Sequence, residues 1–253
     1  MMLKTTSILI LAAFAAALSF TPVYALSPAS GDAEAPACVR PILADEHLSL
    51  KWMVDEDFSK GEWSGRWTSE SQGAQIETAE GGLKISTPPE NPKKLGTTVW
   101  LNEKLPADVL IHINVKTLTT GDFNACNLNL FLHAKEADGS DLVFGRSGAY
   151  PDYHQIPNYI FTFVGGDMKG WARVRRDPGF NKIAESDART ARGKDYQITV
   201  LKVDGRLRYW VDGQLIHDVT DPEPLDGGQF GLRTWASDIV WEKVEIAAVV
   251  SES

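Results

Sequence analysis

Cysteine is scarce in this sequence: Cys38 and Cys126 are the two thiols among 253 residues. Two thiolates alone cannot complete a zinc site, and they cannot build the disulfide framework of a small secreted module. In an oxidising compartment they could pair and pin the N-terminal stretch to the folded body. The other reading is a small core residue at 126 and a free thiol at 38. Histidine is sparse as well, and no two of the five lie at the i, i+4 spacing of a helical metal motif. An excess of positive charge is missing: 25 Lys and Arg face 34 Asp and Glu, a formal charge of −9. That argues against nucleic acid or anionic membrane as the main partner. There is no G-x-S-x-G elbow, P-loop, H-E-x-x-H or Rossmann glycine pattern. The E-x-D-x-x-E type of acid pair found on one strand of many sandwich glucanases is missing too.

Long apolar runs are confined to the start. Ile8 to Phe20 is almost unbroken, Lys4 precedes it, and Val23-Tyr24-Ala25 places small residues before a cut. Residues 1–25 therefore read as a signal peptide, and the mature chain is expected to be exported, periplasmic or secreted. The run is short for a bilayer span and Pro22 follows it, so no membrane association is expected after cleavage. Residues 26–50 are rich in Ala, Pro, Ser and Asp and read as a linker that drapes over the body or stays unstructured. Residues 51–250 read as one domain.

That domain carries the period-two alternation of strands, broken by turn residues at short intervals. Val109, Ile111, Ile113 and Val115 alternate with more polar neighbours, and Leu128, Leu130 and Leu132 alternate with Asn127, Asn129, Phe131 and His133. Asp204-Gly205 and Asp212-Gly213 predict two-residue hairpins flanking 206–211. Residues 159–164 are apolar on both faces, which predicts a covered central strand. Strands are also expected over 229–235 and 240–247, and a short turn around 184–191. Many short antiparallel strands predict a jelly-roll sandwich of two stacked sheets.

Alternation also says which side chains leave the core. Asn127, Asn129, Phe131 and His133 share one strand face, an unusual set for an ordinary solvated surface. Trp171, Arg173 and Arg175 share a face of the next distinctive segment, while Arg176 falls on the core side and marks a strand end or bulge. Eight Lys or Arg lie between Lys169 and Lys194 in an otherwise acidic chain. Guanidinium groups hold carboxylates by paired hydrogen bonds, and aromatic rings stack on sugar faces. This cluster predicts an anionic ligand; the competing reading is a solvated strand paired to acids such as Asp177, Glu185 and Asp187. Arg233 and Trp235 share a parity and extend the same set. Among the other tryptophans, Trp100 alone is a candidate sugar platform. The loop Tyr150 to Asn158 adds Tyr153, His154 and Asn158, groups suited to proton transfer and hydrogen bonding on a rigid support. His47, His112 and His217 have no evident partners. Asp57 and Asp238, near the first and last strands, raise a structural calcium site; no other cofactor is expected.

Three segments carry a resemblance. Asp55 to Trp63, Arg206 to Gly213 and Gly227 to Trp235 resemble concanavalin A-like lectin and glucanase sandwiches. More specifically, Tyr153-His154-x-x-Pro157-Asn158-Tyr159 and Trp171-x-Arg173-x-Arg175-Arg176-x-Pro178-Gly179-Phe180-Asn181 resemble the small bacterial family of unknown function typified by YesU. That resemblance implies the sandwich fold and a polysaccharide-degradation setting, and it brings no catalytic residues with it. The expected ligand is a uronic-acid-containing poly- or oligosaccharide, and the expected reaction is β-elimination, as a lyase or dehydratase. In that scheme Arg173, Arg175 and Arg233 with Asn127 or Asn129 neutralise the carboxylate, His154 or His133 takes the proton, and Tyr153 is the acid or serves both roles. Asn158, Trp171 and Trp235 add substrate contacts. A non-catalytic binding module and a glycoside hydrolase stand beside it as alternatives.

Overall fold

The computed structural model describes residues 34–87 and 96–252. The expected leader, and the start of the expected linker, lie outside these residues. The chain forms α1 (Arg40–Asp45), β1 (Leu48–Asp57), β2 (Trp67–Ser71), β3 (Gln75–Ala79), β4 (Gly82–Ser86), β5 (Gly96–Leu105), β6 (Val109–Thr117) and β7 (Leu128–Ala134). It continues through α2 (Tyr150–Tyr153), β8 (Asn158–Phe163), β9 (Ala172–Asp177), β10 (Asn181–Ser186), β11 (Asp195–Val203), β12 (Arg206–Val211), β13 (Gln214–Thr220), β14 (Gly228–Trp235) and β15 (Ile239–Ser251).

The strands make two antiparallel sheets. One runs β13-β12-β11-β6-β15-β4-β3, with β1 paired to the far half of β15. The other runs β10-β9-β8-β7-β14-β5-β2. The inward residues of both sheets form the main core, including Ile111, Ile113, Leu128, Leu130, Phe161, Val174, Leu232 and Trp241. The alternation read from the sequence is thus the alternation of the sandwich. The Asp-Gly turns behave as expected, with positive φ at Asp204, Gly205, Asp212 and Gly213, the conformation a tight primed hairpin demands. The strand expected to be covered on both faces is β8, all six residues of which are buried.

Three stretches differ from the sequence reading. The latter part of the expected linker contains α1 and the start of β1. Val39 and Leu43 there pack on the outer face of the larger sheet, against Leu110, Leu201, Trp210, Ala247 and Val249. The expected turn at 184–191 begins instead with β10, whose Ala184 and Glu185 pair with Val174 and Arg173 of β9. The loop before β8 winds one helical turn, α2, with Pro151 in its first turn. Cys38 and Cys126 are both free: Cys38 packs with the α1 cluster, and Cys126 is buried beside Asn124. Among the described residues no helix is long and apolar enough to cross a membrane.

Candidate functional site

The outer face of the seven-stranded sheet positions the site. One row of opposed residues crosses all seven strands: Glu70, Thr98, Arg233, Asn129, Thr162, Arg173 and Glu185. The next row reads Thr68, Trp100, Gly231, Phe131, Ile160, Arg175 and Lys182. Every second residue of a strand faces the same side, so these two rows share the outer face. The segment between β7 and β8 folds over part of that face. Trp100, Phe131, Leu142, Tyr153, Ile156 and Ile160 form a second apolar cluster beneath it.

Glu70 fastens this cover. Its carboxylate accepts hydrogen bonds from Trp100 Nε1 (2.8 Å), Tyr153 Oη (2.7 Å), Gly145 N (2.7 Å) and Arg146 N (2.8 Å). The uncovered part of the face is a pocket of about 260 Å³. Its floor is Asn127, Asn129, Thr162, Arg173, Arg175 and Arg233. Tyr150, Phe180, Val164, Met168 and Trp235 complete the lining.

The three arginines differ in how they are engaged. Arg173 donates to Glu185 at 3.1 Å and lies over the Trp171 ring at 4.7 Å. Arg175 is 7% exposed, stacks on Phe180 at 4.0 Å, and has no ion-pair partner among the described residues; its Nε is buried without a hydrogen-bond acceptor. Arg233 is 1% exposed. Its guanidinium donates to Thr98 Oγ1 and to the Gly148 carbonyl, both at 2.9 Å, beneath the rings of Tyr150 and Tyr153. Arg233 too lacks a carboxylate partner among the described residues, and its Nε is unpartnered. Burial pulls the pKa of both groups down and pushes that of Tyr150 up. Unsatisfied buried polar atoms are costly, and here five lie in one lining: Asn127 Oδ1, Asn129 Oδ1, Thr162 Oγ1, Arg175 Nε and Arg233 Nε. The two Nε groups lack an acceptor, and the two amide oxygens lack a donor.

The pocket brings together Asn127, Asn129, Arg173, Arg175, Arg233 and Trp235, as parity predicts. It leaves out the expected proton-transfer groups. His133 has a positive φ of 60°, which breaks the alternation and turns its ring toward Tyr159 of the main core. It is fully buried, and burial holds its pKa down to about 3. Tyr153 is fully buried under the cover, and its pKa is raised by that burial. His154 lies outside the lining, behind Tyr150 and Phe180, with Nδ1 donating to Asp177 Oδ2 at 3.0 Å. Asp177 also accepts from the Phe180 amide, so it ties the β9–β10 turn to α2. Asn158 is internal and holds the loop through the Tyr153 and Ile156 carbonyls. Trp171 stands beside the pocket as the support of Arg173. Trp100 is no sugar platform, being fully buried under the cover.

The charge cluster at 169–194 is a mixture of both readings. Arg173, Arg176, Lys182, Arg192 and Lys194 are ion-paired to Glu185, Asp221, Asp167 or Asp212. Arg176, on the inner parity, reaches the Asp221 carboxylate that also accepts from Tyr159 Oη. Arg175 remains as the buried, unpaired cation. Asp57 is paired with Lys60, and Asp238 accepts from Thr87 N and Thr120 Oγ1. Among the described residues no cluster of three or more His, Cys, Asp or Glu is placed to hold a metal. Sequence reasoning missed Tyr150, Thr162, Val164, Met168 and Phe180 as lining. Thr162 was hidden in an apolar strand, although its register opposite Asn129 fixes its face.

A family model described as "Domain of unknown function (DUF6250)" matches residues 92–244. No curated protein matches the sequence. Among solved structures, the chain is similar to a Bacillus subtilis protein of unknown function with a galectin-like fold, at 18% identity and a TM-score of 0.67, covering 81% of this chain and 100% of that one. It is also similar to the carbohydrate binding module CBM66 from Bacillus subtilis (14% identity, TM-score 0.50, 72% of this chain and 95% of that one). A third is the VIP36 exoplasmic/lumenal domain in its Ca2+/Man2-bound form (16% identity, TM-score 0.54, 83% and 90%). At these identities the likeness is one of fold: the two-sheet antiparallel sandwich that the strand pattern predicts, of the concanavalin A-like type that the resemblance implies.

Proposed function

From the premise that the chain belongs to the DUF6250 family, whose description assigns no activity, we propose that it recognises carbohydrate outside the cytoplasm, through the carboxylate of an acidic sugar. The observation that carries this reading is the pair of buried guanidiniums, Arg175 and Arg233, that line one pocket and have no carboxylate partner among the described residues. A uronate placed there meets two cations, with Asn127, Asn129 and Thr162 available to its hydroxyls. Trp235 and Phe180 offer apolar surface for the ring. Two structural neighbours are by description a carbohydrate binding module and a lumenal domain in a Ca2+/Man2-bound form, which agrees with this reading. The likeness to the YesU-type family and the leader-like first 25 residues belong to the same reading.

Charge-assisted hydrogen bonds contribute about 1.5–3 kcal/mol each. Arg175→Gln is therefore expected to weaken glucuronate or galacturonate binding roughly 10- to 100-fold in calorimetric titration. Glucose, lacking the carboxylate, is expected to bind far more weakly to the unaltered protein. Equal binding of glucose and glucuronate, or no effect of the substitution, would refute the proposal.

β-Elimination is a second reading, and the observation that favours it is Tyr150. It is the lining residue whose hydroxyl can exchange a proton; burial raises its pKa, and the neighbouring Arg175 and Arg233 only partly offset that rise. In that step the Tyr150 oxygen removes the C5 proton beside the neutralised carboxylate, the C4–oxygen bond breaks with its electron pair leaving on the oxygen, the same proton passes to that oxygen, and a C4=C5 unsaturated uronate forms. Its ultraviolet absorbance, growing with the native protein and lost in Tyr150→Phe, is the test. Hydrolysis by two flanking carboxylates has less support, because the lining contains no Asp or Glu.

A further inference from the structure

Along the strand direction the pocket is lined at its two ends by aromatic and apolar side chains. At one end Tyr150 lies parallel to Phe131, with centroids 6.4 Å apart, and meets Phe180 edge-on at 5.9 Å. Phe180 is itself held by Arg175 on one side and His154 on the other. Together these rings make an aromatic wall fixed by the Asp177 bonds to His154 and to the Phe180 amide. At the other end Val164, Met168 and Trp235 pack with Ala125 and Ala236 into an apolar cluster. Neither end offers a hydroxyl-rich sugar ring a row of hydrogen-bonding partners. The guanidiniums and the unpartnered amide and hydroxyl oxygens all lie between the two walls. The volume, about 260 Å³, falls below the roughly 300–1,000 Å³ of sites that enclose drug-sized ligands.

We infer that the pocket takes a single sugar unit end-on: it reads the terminal acidic residue of a glycan, or a free uronic acid, and not a stretch of chain threaded along the sheet. This rests on the acidic-sugar reading above and adds its mode. In a long open cleft each added sugar contributes contacts, so affinity climbs with length. In a walled pocket the first unit supplies nearly all of it, and further units project into solvent.

The test is calorimetric titration of the whole protein with glucuronate and galacturonate, with their trimers, and with long polygalacturonate. The expected result is affinities for monomer and trimer within about threefold, a difference below 1 kcal/mol. Binding to the long polymer is expected to count chain ends, so that shortening the polymer raises capacity in proportion. Affinity rising tenfold or more from monomer to trimer, or several protein molecules seated along one long chain, would overturn end-on recognition while leaving the arginine clamp standing. Failure of every acid in the series to bind would overturn both.

Discussion

At the scale of single residues, parity governs what could be read. Arg173, Arg175, Asn127, Asn129, Arg233 and Trp235 reach one pocket because regular strands put alternate side chains on one face. His133 escaped that logic through one left-handed backbone angle, which no pattern in its neighbours announces. Its burial has a measurable consequence. The folded-state pKa is lowered to about 3 from 6.5, first by burial and then by the charge of Lys202. Below about pH 6.5 the unfolded chain gains a proton at this ring that the folded chain does not take. The ring's contribution is therefore fully present above pH 6.5 and declines as pH falls toward 3. We expect the urea midpoint to drop through that window, and His133→Asn, which does not titrate and tolerates left-handed backbone, to flatten the drop. Glu70 is a second such residue, invisible as a site in the sequence yet accepting four hydrogen bonds. Glu70→Ala leaves Trp100, Tyr153 and two loop amides without their acceptor. A loss of about 3 kcal/mol is expected in denaturant titration.

At the scale of elements, the hairpins carried by Asp204-Gly205 and Asp212-Gly213 were legible because few residues tolerate the positive φ of such turns. The helical turn α2 was not, since one turn leaves no periodicity to detect. Nor was β10, whose mixed polar sequence pairs at the sheet edge through a register shift. The match between β14 and its neighbours depends on glycine, at Gly228 against β7 and at Gly231 against Trp100. A Cβ on Gly231 would stand 2.7 Å from Cε3 of Trp100, whose indole is held in place through Glu70. Gly231→Ala is expected to cost about 1–3 kcal/mol by overpacking and to disturb the cover over the sheet. A thermal melt reads the first effect and weakened sugar binding the second. An unchanged melting temperature would show that the ring can give way.

At the scale of the whole molecule, the sandwich presents two outer faces that are managed differently. The larger sheet hides part of its outer face under α1 and the residues before it, where Val39 and Leu43 cover Leu110, Leu201 and Trp210. Removing residues 1–47 is expected to lower the melting temperature and increase binding of a hydrophobic dye. The smaller sheet leaves a pocket open, and that pocket gathers five unpartnered buried polar atoms, among them both arginine Nε groups. The two-sheet sandwich was readable from strand pattern, its concanavalin A-like type from resemblance; the pocket's walls were not, because Tyr150, Met168 and Phe180 come from turns whose course depends on tertiary packing. The most direct measurement is a crystal structure with glucuronate or galacturonate bound. The account predicts the sugar carboxylate within hydrogen-bonding distance of both Arg175 and Arg233. A sugar seated elsewhere, or one whose carboxylate points to solvent while those guanidiniums stay unpartnered, would contradict it.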